Sequence, residues 1–147
     1  MSDKKVWSLL DDYFDDDLDE HGYGIRPNDI SQMEKELNLF FSDGYKEFLR
    51  RYDYAELPGH IIYGYSSPRN SSPLETTVGS TKHYQLQNWP SIEDWYIVSD
   101  DGFGNPIGID PEGKVWLSDH DSGFEKVKLA DSFEEFLYKV LTETLYE

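Results

Sequence analysis

The sequence predicts an α+β fold: a mostly antiparallel sheet built on a central meander, with an N-terminal and a C-terminal helix packed against it. Three observations predict it. Strand-type residues gather between Trp95 and Asp121 in three short runs, 95–98, 107–109 and 115–117, which hold the β-branched and aromatic side chains. The joints between them, 100–106 and 110–113, are made of Asp, Gly, Asn and Pro and are short enough for tight reversals of direction. Helical spacing of apolar residues appears instead toward both ends, from Val6 to Phe14 and from Phe133 to Leu145.

Taken in order, Val6, Leu9, Leu10, Tyr13 and Phe14 stand at i, i+3, i+4 spacing and predict a helix over 4–14. The acids Asp11, Asp12, Asp15, Asp16, Asp17, Asp19 and Glu20 crowd its C-terminal end, where the helix dipole opposes negative charge, so the helix should stop near Asp16. Asp15, Asp17 and Asp19 match the opening spacing of a calcium loop, but Glu20 stands where that loop needs Gly and Arg26 where it needs Glu. The run reads as a solvated acidic face open to a partner. A second helix should follow, capped by Asn28 or Asp29 with Gln32 returning a bond to the cap, and with Ile30, Met33 and Leu37 inward. Ser42 can cap a third helix that buries Tyr45, Phe48, Leu49 and Tyr52 and leaves Lys46, Arg50 and Arg51 on its solvated side.

Residues 61–65 read as a strand after the Pro58-Gly59 turn, and 66–88 as a long excursion with at most a short helix. In the meander, Trp95 and Ile97 face one way and Tyr96 and Val98 the other, all apolar, which predicts a central strand covered on both sides. Gly108 leaves one face of the second strand bare enough for another element to approach. Pro111 and Gly113 suit a tight hairpin turn. Phe124–Lys128 adds a short strand, and Asp131 with Glu134 forms a capping box for a closing helix whose inner face is Phe133, Phe136, Leu137, Val140, Leu141 and Leu145. The 147 residues read as one domain.

Composition narrows the function classes. With 13 basic against 30 acidic residues the net charge is −17, a field that repels phosphate backbones and anionic lipids and favours a basic protein partner. No cysteine is present, which excludes disulfides and thiolate metal sites. The opening stretch lacks the apolar run of a signal peptide or membrane span, so a soluble cytoplasmic protein is expected. No nucleophile elbow, phosphate loop or dinucleotide motif occurs. Asp119-His120-Asp121 is the most suggestive triplet for a general base or a metal, but strand neighbours point in different directions, and a turn role is expected. Asp100 and Asp101 are expected to bond the backbone of their own loop. No catalytic, cofactor-binding or metal-binding residue is assigned.

Three segments together resemble the SUKH superfamily, the group joining Smi-Knr cell-wall synthesis regulators of yeast to bacterial toxin-immunity proteins. They are the helix pair from Ile30 to Tyr52, the stretch from Val98 to Asp110 with its continuation through Val115-Trp116 to Asp119-His120, and Asp131 to Leu137. Ser42 replaces a proline usual after the second helix, and Tyr54-Ala55 an Asn-Gly usual after the third. The resemblance implies an α+β fold, no enzymatic activity, and binding of a cognate toxin domain, often a nuclease. The charge agrees, because a nuclease cleft must be basic to attract phosphate. The expected function is therefore an immunity protein that occludes the active site of a basic nuclease toxin, an RNase more than a DNase. The expected contacts are Asp11, Asp12, Asp15, Asp16, Asp17, Asp19, Glu20, Asp100, Asp101, Asp119 and Asp121, with Tyr65 or Trp89 as aromatic anchors. The rivals are a regulatory scaffold of the Smi-Knr type and a metal-dependent hydrolase centred on His120.

Overall fold

The computed structural model describes residues 3–15, 20–68 and 72–147. Helix α1 (Asp3–Phe14) buries Val6, Leu10 and Phe14 of the face its spacing predicts, while Leu9 is half-buried and Tyr13 is exposed. It ends where the acids gather, with Asp15 already at φ 32. Asp16, Asp17 and Asp19 lie outside the described residues.

Helix α2 (Pro27–Leu37) turns Ile30, Met33 and Leu37 inward as expected, but neither Asn28 nor Asp29 caps it. Arg26 is the cap residue and Pro27 opens the helix, because proline has no N–H to leave unsatisfied and its φ is already helical. Asp29 instead sits one turn in, where its carboxylate accepts the Arg26 backbone N–H at 3.3 Å, and Gln32 reaches forward to Glu36 rather than back. Helix α3 (Asp43–Arg51) starts on Ser42, whose hydroxyl accepts the Tyr45 N–H at 3.3 Å, so a serine cap initiates the helix. Tyr45, Phe48, Leu49 and Tyr52 are buried, and on the outer side Glu47 holds both Arg50 and Arg51.

Strands β1 (Ala55–Leu57) and β2 (His60–Ile62) form an antiparallel hairpin across Pro58-Gly59. The first of these was not expected, since Ala-Glu-Leu has no strand-favouring residue. The strand expected over 61–65 stops at Ile62, because Tyr63 leaves the hairpin to donate its N–H to Val98 O at 2.8 Å. The excursion from 66 to 88 holds more order than predicted: a 3₁₀ turn at Pro73–Glu75 leads into helix α4 (Thr77–Leu86). The buried residues of α4 are Thr77, Ser80 and Thr81, so it has no apolar stripe for a periodicity reading to find.

The meander is present as β3 (Tyr96–Asp100), β4 (Pro106–Ile109), β5 (Val115–Asp119) and β6 (Glu125–Ala130), neighbours in that order and all antiparallel. β3 is covered on both faces as predicted, yet it is the end strand of this sheet rather than a central one. Its outer edge is shielded by β2, whose Ile61 O accepts the Ser99 hydroxyl at 2.8 Å, by Tyr63 just after it, whose N–H donates to Val98 O, and by α4, whose Thr81 hydroxyl oxygen accepts the Ile97 N–H at 2.8 Å. The β4–β5 turn closes with Gly113 N–H to Asp110 O at 3.0 Å.

Cross-strand register separates two cores. Tyr96, Ile109, Val115 and Ala130 align on the face that α1, α2, α3 and α5 (Phe133–Leu141) cover. Ile97, Gly108, Trp116 and Lys128 align on the other face, where Tyr63, Ile92, Trp95 and Ile97 form a smaller core with Trp89 and Tyr84 against it. The close approach expected at Gly108 is made by Trp95: a Cβ on Gly108 would lie 2.8 Å from its ring. The closing helix α5 is capped one residue later than predicted. The Ser132 hydroxyl accepts the Glu135 N–H at 3.1 Å, while the Asp131 carboxylate is drawn to Lys128 at 2.7 Å. Phe133, Phe136, Leu137, Val140 and Leu145 are buried, and Leu141 is half-buried. Among the described residues no helix is long and apolar enough to cross a membrane.

Candidate functional site

An antiparallel meander returns alternate loops to the same end of the sheet. The β3–β4 and β5–β6 connections therefore meet at the end that carries Asp100, Asp101, Asp119 and Asp121, whereas the β4–β5 turn lies at the far end; Asp119 and Asp121 cluster with His120, and Asp100 and Asp101 border recesses beside His60. Each acid acts locally first. Asp100 Oδ1 accepts the Gly102 N–H at 2.7 Å, and its other oxygen takes the Tyr63 hydroxyl. Asp101 accepts the N–H of Phe103 at 2.8 Å, that of Asn105 at 3.1 Å, and the Asn105 side-chain amide at 2.8 Å. Both acids bond their own loop, the role expected of them.

Asn105 joins the two loops. It is 3% exposed, and its Oδ1 accepts both the backbone N–H of His120, at 3.0 Å, and the imidazole Nδ1–H. With Nδ1 held as donor, the ring presents Nε2 to Asp121 Oδ1 at 3.3 Å. The triplet Asp119-His120-Asp121 does not splay as expected of strand neighbours: one ligand atom from each lies within 4.8 Å of the others. The strand ends at Asp119 and the chain curls into a 3₁₀ turn (His120–Ser122), which brings all three to one side. Asp119 serves as the cap of that turn, accepting Asp121 N–H at 3.0 Å and the Ser122 hydroxyl at 3.2 Å. Asp121, with its side chain 79% exposed, is engaged only by His120 among these groups.

Beside the acids opens a cleft of about 570 Å³ walled by Trp89, Phe103, His120 and Phe124, with Gln87, Asn88, Pro90 and Gly104. Trp89 is anchored from beneath. Its indole N–H donates to Ser118 Oγ at 2.8 Å, and it meets Phe124 edge-on at 5.2 Å, Tyr84 at 5.1 Å and His120 at 5.9 Å. Phe103, at 79% exposure, projects from the tip of the β3–β4 loop. Trp89 is one of the two anchors predicted; Tyr65 does not line this cleft. Sequence reading missed Phe103 and Phe124. For Phe103 a signal existed: a large apolar residue between two glycines of a turn has nothing to pack against in its own loop.

The N-terminal acids are elsewhere. Asp11, Asp12 and Asp15 are exposed on or just after α1, which packs with the large core across the sheet from Trp89. Asp11 accepts the Tyr52 hydroxyl, which together with burial raises the Tyr52 pKa well above the usual phenol range, burial being the larger cause. Glu20 is half-buried, and its carbonyl accepts the Glu56 N–H at 2.6 Å.

The family model of the SMI1 / KNR4 family (SUKH-1) matches residues 24–139, from just before α2 to the last turn of α5. A search of the curated proteins finds no match. The matched stretch contains every residue of the cleft and the acids of the two loops that form it, and excludes α1 with the N-terminal acids. This chain belongs to the SMI1 / KNR4 family (SUKH-1).

Proposed function

We propose that this protein is an immunity protein that binds a nuclease toxin domain, an RNase more than a DNase, and neutralises it in the cytoplasm by covering its basic active site. The observation that carries the reading is the aromatic cleft built on the two loops whose strand ends and turns hold Asp100, Asp101, Asp119 and Asp121. An aromatic centre with charged residues on the loops around it is the anatomy of an interface whose few central side chains supply most of the binding energy. The net charge of −17 supports the same partner, because a basic cleft would be drawn to it at rates above those of uncharged pairs. The triplet around His120 spends its bonds on capping a turn and joining two loops, which favours a binding role over hydrolysis. Asp11, Asp12, Asp15, Asp16, Asp17, Asp19 and Glu20 then act mainly by steering. Reversing Asp15, Asp16 and Asp17 to Lys should slow association and flatten its salt dependence while leaving dissociation nearly unchanged.

The test is affinity capture from lysate and secreted protein of the source cells, followed by nuclease assays on the captured domain. Stoichiometric inhibition of RNA cleavage, relieved by salt, is the expected result. A partner whose nuclease activity is untouched at stoichiometric ratio would sink the reading, and capture of regulatory proteins alone would favour a scaffold of the Smi-Knr type.

A further inference from the structure

We propose that the Trp89 cleft is a receptor for one arginine side chain of the partner. The inference deepens the immunity reading and rests on it only for who supplies the arginine. Three features of the cleft select a guanidinium. Its walls are the rings of Trp89, Phe103 and Phe124, and a planar, weakly hydrated cation stacks on such faces better than an ammonium does. Next to the cleft-lining His120, the Asp121 carboxylate has, among the described residues, only that imidazole as partner, so it is available for the paired hydrogen bonds a guanidinium offers. The other acids of the two loops are different: Asp100, Asp101 and Asp119 have oxygens committed to loop N–H and hydroxyl groups, and Asp100 and Asp101 border separate recesses beside His60, so they contribute negative potential rather than new bonds.

The receptor is also preorganised. Trp89 is held by Ser118, His120 by Asn105, and Asn105 by Asp101, so the ring and the carboxylate beside it need little reordering when a side chain enters. Phe103, on the exposed loop tip, can pack over the occupant from the open side.

The experiment is a titration of the full chain with argininamide and, separately, lysinamide at matched ionic strength, followed by ¹H–¹⁵N NMR on the indole and backbone N–H groups. Argininamide should give saturable shifts confined to the Trp89 indole and to residues 103–104 and 120–124, and lysinamide should need a concentration roughly fivefold higher. Phe103→Ala and Asp121→Asn, both at exposed positions, should each weaken argininamide binding by roughly fivefold. Equal response to the two amides, shifts spread over the α1 acids, or variants that bind like the natural chain would overturn the proposal. The two readings fail separately. Argininamide bound at the cleft in a protein that inhibits no nuclease leaves the receptor standing without the immunity role. A nuclease inhibited equally well by the Phe103→Ala and Asp121→Asn variants, with the cleft unmoved by argininamide, removes the receptor and keeps the immunity role.

Discussion

Asn105 is a small residue with a large effect, since its side chain ties the β3–β4 loop to the β5–β6 loop. Replacing it by Ala would strand the His120 N–H and take from Asp101 Oδ2 its amide donor, so Asn105→Ala should cost about 2 kcal/mol in a urea melt and loosen the cleft. Asp53 offers a pH-dependent counterpart. It is buried at φ 69 and accepts the Tyr65 N–H at 2.6 Å and the Ser66 N–H at 3.2 Å, yet burial outweighs these bonds and raises its pKa. The folded chain thus holds this proton more tightly than the unfolded one, so Asp53 favours folding at acid pH and that contribution is lost as pH rises through its raised folded pKa. Asp53→Asn keeps an acceptor and tolerates the left-handed backbone, so it should remove this pH dependence and change stability near pH 7 by less than about 1 kcal/mol, read from melts across pH. At this scale the turn acids were legible, because Asp before Gly has few uses other than bonding its own loop. Asn105 was not, since a lone Asn carries no mark of what lies 15 residues away.

Elements were more legible by their faces than by their ends. The inward residues of α1, α2, α3 and α5 follow from 3.6-residue spacing, and the core accepts them except for Tyr13, which is exposed, and Leu9 and Leu141, which are half-buried. Ser42 caps α3 as read, whereas the caps of α2 and α5 moved by a residue or more. In Asp131-Ser132-Phe133-Glu134-Glu135 two capping frames are available, Asp131 with Glu134 or Ser132 with Glu135, and local sequence weighs them nearly equally. Lys128 at the end of β6 decides by taking the Asp131 carboxylate. Ser132→Ala should therefore cost about 1 kcal/mol and Asp131→Ala distinctly less, a difference thermal melts of the two variants would show. Helix α4 escaped because it docks by hydroxyls: Thr77 bonds Tyr63 O at 3.2 Å and the Tyr45 hydroxyl at 2.6 Å, and Thr81 bonds β3. A periodicity of hydrogen bonds leaves no apolar pattern to find.

Over the whole molecule, phenols and acids set the response to pH and salt. Burial pushes Tyr96 and Tyr146 up to about 12, with the Asp101 and Asp100 charges adding to the shift at Tyr146, and it raises Tyr45, Tyr52 and Tyr63 as well. Above the ordinary phenol pKa of about 10 the unfolded chain releases these protons and the folded chain keeps them, so stability falls as pH rises from there. The part of the tyrosinate absorbance that these five phenols contribute should thus appear cooperatively with loss of circular dichroism rather than as a gradual titration. The net charge of −17 acts within the folded state as self-repulsion, and raising the salt from about 10 mM to about 150 mM should raise the melting temperature. Composition, the meander and the helix faces were decided by local chemistry: side-chain alternation, turn residues and spacing act over a few residues and are written in the order of the chain. The cleft was decided otherwise. Trp89, Phe103, His120 and Phe124 meet because a four-stranded meander returns its first and third loops to one end, and because Asn105 and Ser118 fix the rings across gaps that only a folded sheet closes.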